Sequence, residues 1–167
     1  KELEELSKKL EKDQLFDKAD KLKQNAKNQQ QNLEQLVELT KRFYVEQKAE
    51  QIADKLDKLA EKEDKLADDA KENSRENQDT INKEFEEIQK ELQDLEKENK
   101  ELKAPMDIPN DKNEQEDVKK DMEKASEELQ KQNQQKAKPK QKSAAAKMKQ
   151  MSQKMSQSMQ SGDMEQM

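Results

Sequence analysis

Residues 1–104 contain neither glycine nor proline. That absence limits what the chain can fold into, because those two residues are the strong helix breakers. Leu, Lys, Glu, Gln and Ala dominate the same stretch, and all favour the helical backbone. Only 28% of the 167 residues are hydrophobic, 44% are charged, and the aromatics number four: Phe16, Phe43, Tyr44 and Phe85. A conventional globular core needs more apolar side chains than this. The remaining outcomes are disorder, or helices that bury a narrow stripe.

Regular apolar spacing favours helices. One seam runs through Val45, Ala49, Ile52, Leu56, Leu59, Leu66 and Ala70, with Glu63 in the expected apolar slot. These positions follow a heptad. A second seam runs through Ile81, Phe85, Ile88, Leu92, Leu95 and Leu102, with Asn99 at the missing position. A third, shorter row is Val118, Met122, Ala125 and Leu129. Nearer the start, Leu3, Leu6 and Leu10 form one fragment and Leu15, Ala19, Leu22 and Ala26 another, out of register with the first. The sequence therefore predicts an all-α protein of elongated antiparallel helical hairpins and coiled coil, with no β-sheet.

The expected boundaries follow from breakers and polar stretches. Ala70 and Ile81 are one residue too far apart for an unbroken heptad, so either the helix continues through a local change of supercoil or, the favoured reading, the chain bends or turns near 72–77, where Asn and Ser compete for backbone hydrogen bonds. A softer break is expected within Asn25–Asn32, where Ala26 is the one apolar residue. Pro105 and Pro109 make 104–110 a loop, and Asp111 followed by Glu114 resembles a capping box. Pro139 is expected to end the next helix, leaving 137–142 as a Lys/Pro linker. Ser143 would then cap a Met-rich helix over 143–160, stopped by Gly162, with 161–167 as a tail. Helices are thus expected at 1–27, 30–72, 76–103, 111–136 and 143–160, with 111–136 folding back on 81–103.

Several segments resemble a known family. They are Leu36-Val-Glu-Leu-Thr-Lys-Arg-Phe-Tyr-Val45, Ala104-Pro-Met-Asp-Ile-Pro-Asn110, Ser143-Ala-Ala-Ala-Lys-Met-Lys-Gln-Met-Ser-Gln-Lys-Met155 and Ser158-Met-Gln-Ser-Gly-Asp-Met-Glu-Gln166. Together they resemble the helical part of large membrane-anchored coiled-coil proteins of Bacteroidota, a family with no assigned activity. The resemblance covers nearly the whole chain. It implies an N-terminal membrane anchor outside this segment and a place in a Gram-negative cell envelope. It carries no functional residues. The start at Lys1 rather than Met is read in the same sense, as a piece of a longer protein.

Much chemistry is excluded. Without His or Cys there is no Ser-His-Asp triad, no Cys-His pair and no zinc finger. Gly162 alone cannot make a phosphate-binding glycine loop. Adjacent carboxylates such as Asp68/Asp69 and Glu86/Glu87 are expected on solvated faces, because a catalytic pair needs a pocket that shifts a pKa. Asp107–Asp117 resembles a calcium loop superficially but lacks its central glycine. No catalytic residue, cofactor site or metal site is expected, and the chain is read as not an enzyme. No apolar run approaches the roughly 20 residues that span a bilayer.

Charge is uneven. Residues 129–162 hold eight of the 34 basic residues and none of the 40 acidic ones, within a chain of net charge −6. The long acidic part should repel nucleic acid. The Lys run has no interleaved aromatics for base stacking, and no basic region precedes the Leu92–Leu102 zipper, so no nucleic-acid partner is expected. Met148, Met151, Met155 and Met159 share one helical face. Ordinary seam packing, an adaptable partner face, a membrane-surface face and Cu(I) binding through pairs such as Met148/Met151 and Met164/Met167 all remain open for it. Asn99 is open between a register-fixing role and exposure at a frayed helix end.

The expected function is a structural or scaffolding segment of a larger envelope protein, acting through coiled-coil contacts with a protein partner or with itself. The alternatives are a peripheral membrane module using residues 131–160, and a conditionally disordered solvating chain.

Overall fold

The computed structural model describes residues 2–165, except the side chains of residues 6, 7, 9–11 and 161–165. The expected roles of Leu6, Leu10, Met164 and Met167 lie outside this description. The described residues form four helices and no strand: α1 (Glu2–Asp68), α2 (Arg75–Lys100), α3 (Lys112–Gln130) and α4 (Gln134–Glu165). The protein is all-α, as its heptads dictate. It divides into two compact units, Lys1–Lys41 and Arg42–Met167.

The first unit is helical throughout its described residues. The break expected within Asn25–Asn32 is absent, and α1 replaces the two helices expected at 1–27 and 30–72. The asparagines there each cost only about 0.7 kcal/mol or less relative to Ala in a helix interior. Without Gly or Pro nothing forces the backbone out.

The second unit is a four-helix bundle. Its connectivity can be read from the side-chain pairs. Lys62 reaches Glu84 and Lys55 reaches Glu91, so α1 and α2 run antiparallel. Asn82 reaches Ser126 and Gln89 reaches Gln115, so α2 and α3 do too. Lys147 reaches Asp121 and Lys154 reaches Glu114. Lys142 reaches Asp64 and Lys149 reaches Asp57, which closes the ring from α4 back to α1. One continuous core takes in the seams from all four helices, including Ile52, Leu56, Phe85, Leu95, Val118, Met122 and Met148. Each fully buried large aliphatic contributes about 1.5–3 kcal/mol through the hydrophobic effect.

The first turn comes slightly earlier than expected. Asp69 accepts hydrogen bonds from the Lys71 and Glu72 backbone N–H groups, drawing the chain out of the helix after Asp68. Ser74 then caps α2 through the Asn77 N–H. Ala70, counted in the first seam, lies exposed in this turn rather than in the core.

The C-terminal boundaries need larger corrections. The third helix stops at Gln130, not 136. Gln132 takes a left-handed backbone (φ 61°), its N–H bonding to the Leu129 carbonyl and that of Asn133 to Glu128. This pair of bonds is a Schellman motif without its usual glycine. The Asn133 side chain accepts from the Lys136 N–H and so opens α4 directly. The expected 137–142 linker is therefore helix, and Pro139 lies exposed within α4. There its missing N–H leaves one carbonyl unpaired early in the helix. Ser143 is inside the same helix and donates to Asp121 instead of capping. Gly162 does not stop the helix, which runs to Glu165, so the described part of the expected tail, 161–165, is helical.

Candidate functional site

The bundle interior holds an unusual polar layer. Glu63 on α1, Gln78 on α2 and Gln141 on α4 are fully buried, with Asn73 of the first turn close behind. Gln78 donates to Glu63 Oε1 at 2.7 Å and to Asn82 Oδ1 at 3.0 Å. Gln141 donates to Asn73 Oδ1 at 2.7 Å and to Gln78 Oε1 at 2.8 Å, and Asn73 donates back to Gln141 at 2.9 Å. Asn82 and Asp79 continue the network to Ser126 on α3. All four helices and one turn are thus tied by one set of hydrogen bonds. Burial pushes the Glu63 carboxyl up to about 7, with the Gln78 amide opposing in part. Its Oε2 is buried without a partner. The side-chain partners of Glu63 and Gln141 in this layer are neutral amides, and the network ties the helices to one another.

At the other end of the bundle, the proline loop is held by Asn99. Its amide donates to the Met106 carbonyl at 2.7 Å and accepts from the Met106 N–H at 2.9 Å. Asn99 is therefore not exposed at a frayed end, and its amide is taken up by the loop. It acts as a surrogate backbone strand for the loop. Asp111, the residue of the expected capping box, caps α3, accepting from the Asn113 and Glu114 N–H groups, while Asn110 instead bonds Glu96 and Gln115. The Glu114 carboxylate reaches Lys154 at 3.4 Å. Met106 and Ile108 pack on the core, and Ser158 of α4 donates to the Asp107 carbonyl.

The seam residues of the bundle, Ala70 apart, are all buried: Val45, Ala49, Ile52, Leu56, Leu59, Leu66, Ile81, Phe85, Ile88, Leu92, Leu95, Leu102, Val118, Met122, Ala125 and Leu129. Each is covered by another helix of the same chain, so none is left for an external coiled coil. Met148, Met151, Met155 and Met159 also line the core. They offer no partner or membrane face in this fold.

The Lys run finds partners within the chain. Lys138 and Lys142 meet Asp68, Lys142 also meets Asp64, Lys147 meets Asp121, Lys149 meets Asp57 and Lys154 meets Glu114. The Lys142 and Lys138 ammonium groups hold the Asp68 carboxyl below its ordinary range, and hydrogen bonds to Asp64 and then Asp68 raise Lys142. Exposed pairs of this kind contribute little each, about 0–1 kcal/mol. Collectively they match a basic α4 to acidic faces on α1 and α3.

Sequence reasoning missed Gln78, Gln141 and Asn73. The signal was present for the first two. Gln78 lies three residues before Ile81 in the second seam, and Gln141 lies seven before Met148. Both continue a heptad one step past its last apolar residue.

A different surface is uncovered. Leu15, Leu22, Leu33 and Leu36 in the first unit are 59–69% exposed. Phe16, Val37 and Leu39 are exposed beside them.

No family model, curated protein or solved structure matches this chain. Among the described residues no acidic cluster is arranged to hold a metal ion, and no helix is long and apolar enough to cross a membrane.

Proposed function

We propose that this chain is a non-enzymatic scaffolding segment. Residues 42–165 form a self-contained bundle, and residues 1–41 dock onto another helix. The observation that carries this reading is the row of large aliphatic side chains left in water in the first unit, while every comparable row in the second is covered. Isolated amphipathic helices are marginal in water and gain their stability by covering the apolar face. The resemblance to membrane-anchored Bacteroidota proteins supports a place for the segment within a larger envelope protein.

The reading of residues 131–160 as a membrane module loses its main support, since the methionines it needs are in the core. A solvating, disordered chain is likewise at odds with a continuous core and a hydrogen-bonded polar layer that joins all four helices.

Photo-crosslinking in the native cells tests the proposal. A benzophenone side chain at position 22 or 36 should give adducts with protein, and one at position 27, across the helix, should not. Lipid adducts at 22 and 36 would transfer the function to a membrane surface, and equal labelling of both faces would remove the docking row altogether.

A further inference from the structure

We infer that the uncovered row in the first unit is built to pair antiparallel with a second copy of this chain. This rests on the docking function proposed above and names its partner. The row is a continuous heptad. Leu15, Ala19, Leu22, Ala26, Gln29, Leu33, Leu36 and Thr40 follow steps of four and three, all on α1 and all exposed. Taking Ala19 as position a, the a residues are Ala19, Ala26, Leu33 and Thr40. The d residues are Leu15, Leu22, Gln29 and Leu36.

The a positions are mostly small and the d positions mostly large. A parallel pair stacks a on a and d on d. It would place Ala19 on Ala19 and Ala26 on Ala26, leaving thin layers, and would bury Gln29 against Gln29. An antiparallel pair stacks a on d. Centred between residues 27 and 28, it sets Leu15 against Thr40 and Ala19 against Leu36. Further in, Leu22 meets Leu33 and Ala26 meets Gln29. Three of these four layers match a small or short side chain to a longer one, and each layer occurs twice by symmetry. Such a contact is isologous and closes at two chains.

Flanking charge points the same way. Lys18 and Lys23 are the charged residues at the flanking e and g positions from 16 to 39. In a parallel pair Lys18 of one chain meets Lys23 of the other, on both sides of the seam. In the antiparallel register Lys18 meets Leu39 and Lys23 meets Gln30. The lysine stems then cover apolar surface and their ammonium groups stay in water. Phe16 meets Val37 across the same flank.

The chain has no cysteine, so introduced thiols report on pairing cleanly. Full-length chain carrying Leu15→Cys is mixed with full-length chain carrying Thr40→Cys and oxidised. Each variant is also oxidised alone, and the unmodified chain is sedimented over a concentration series. The expected results are a dimer, a mixed 15–40 disulfide, and little crosslinking of either variant alone. Leu22→Asp should return the chain to monomer without moving the main thermal transition. Homotypic 15–15 and 40–40 disulfides would overturn the antiparallel assignment. A chain that stays monomeric and uncrosslinked would overturn self-pairing. In that case protein adducts of a different mass from the photo-crosslinking would leave the docking function standing, and their absence would remove both.

Discussion

Glu63 and Gln78 meet at 2.7 Å inside the bundle, a carboxyl group whose hydrogen-bond partner is a neutral amide. The carboxyl sits in the first seam at a heptad slot that an apolar residue would ordinarily fill. Its neighbours through hydrogen bonds are neutral amides, so nothing compensates an ionised form except the Gln78 donor. Burial therefore holds the group up near 7 rather than at its ordinary 4.5. A buried polar layer of this kind favours one register among the many that a Leu/Ile/Met core tolerates.

That raised value makes stability depend on pH. A carboxyl that holds its proton more tightly when folded supports the fold fully below about pH 4.5 and loses that support as pH rises through about 7. The stability of the bundle should fall by about 2–3 kcal/mol between pH 5 and pH 8 from this group. Glu63→Gln should flatten the profile over that window. Urea melts of both proteins at the two pH values check it, and equal slopes would show that Glu63 ionises freely in the fold.

Asn99→Ala should release the proline loop. The substitution leaves the Met106 N–H and carbonyl without the amide that pairs with both. The expected cost is about 2 kcal/mol, within the range for part-buried groups left unsatisfied. Amide exchange should rise at Met106 and its neighbours while the 69–74 turn at the far end keeps its protection.

The ion pairs of α4 should not be equal. Lys147 pairs with Asp121, whose side chain is 11% exposed, whereas Lys138 pairs with Asp68 at 53%. Removing Lys147 leaves a mostly buried carboxylate with Ser143 alone beside it. Lys147→Ala should cost about 1–2 kcal/mol, and Lys138→Ala should leave the melting temperature unchanged. Thermal melts at low and high salt separate them.

The heptads made the fold class and almost every buried position of the bundle legible, because a 3.5-residue repeat fixes which side of a helix is covered. They did not say what covers it. Val45–Leu66 reads the same whether its partner is another chain or α2 and α4 of this one, and only the three-dimensional arrangement distinguishes them. The proline at 105 marks a true boundary because a second proline follows four residues later and no heptad row continues through the two. Pro139 was misread as a stop because local propensity was weighed without the row it interrupts. Gln141, Ala144, Met148, Met151 and Met155 form one face, and burying Ala137 and Gln141 as well offsets a single lost hydrogen bond. Asn25–Asn32 was misread for the opposite reason, since weak helix formers without a breaker do not end a helix.

The position of the last turn can be tested by two substitutions that have opposite meanings under the two placements. With the turn at 131–133, Gln132 bears a left-handed backbone that glycine adopts without steric cost, so Gln132→Gly should stabilise the bundle by about 1 kcal/mol. Pro139, inside α4, withholds an N–H from the Gln135 carbonyl, so Pro139→Ala should also stabilise, by about 1 kcal/mol or more. At this chain length each should raise the melting temperature by about 2–4 °C. A turn at 137–142 reverses both expectations. Glycine at 132 would then weaken a helix interior, and alanine at 139 would leave stability unchanged or lower it by loosening a loop.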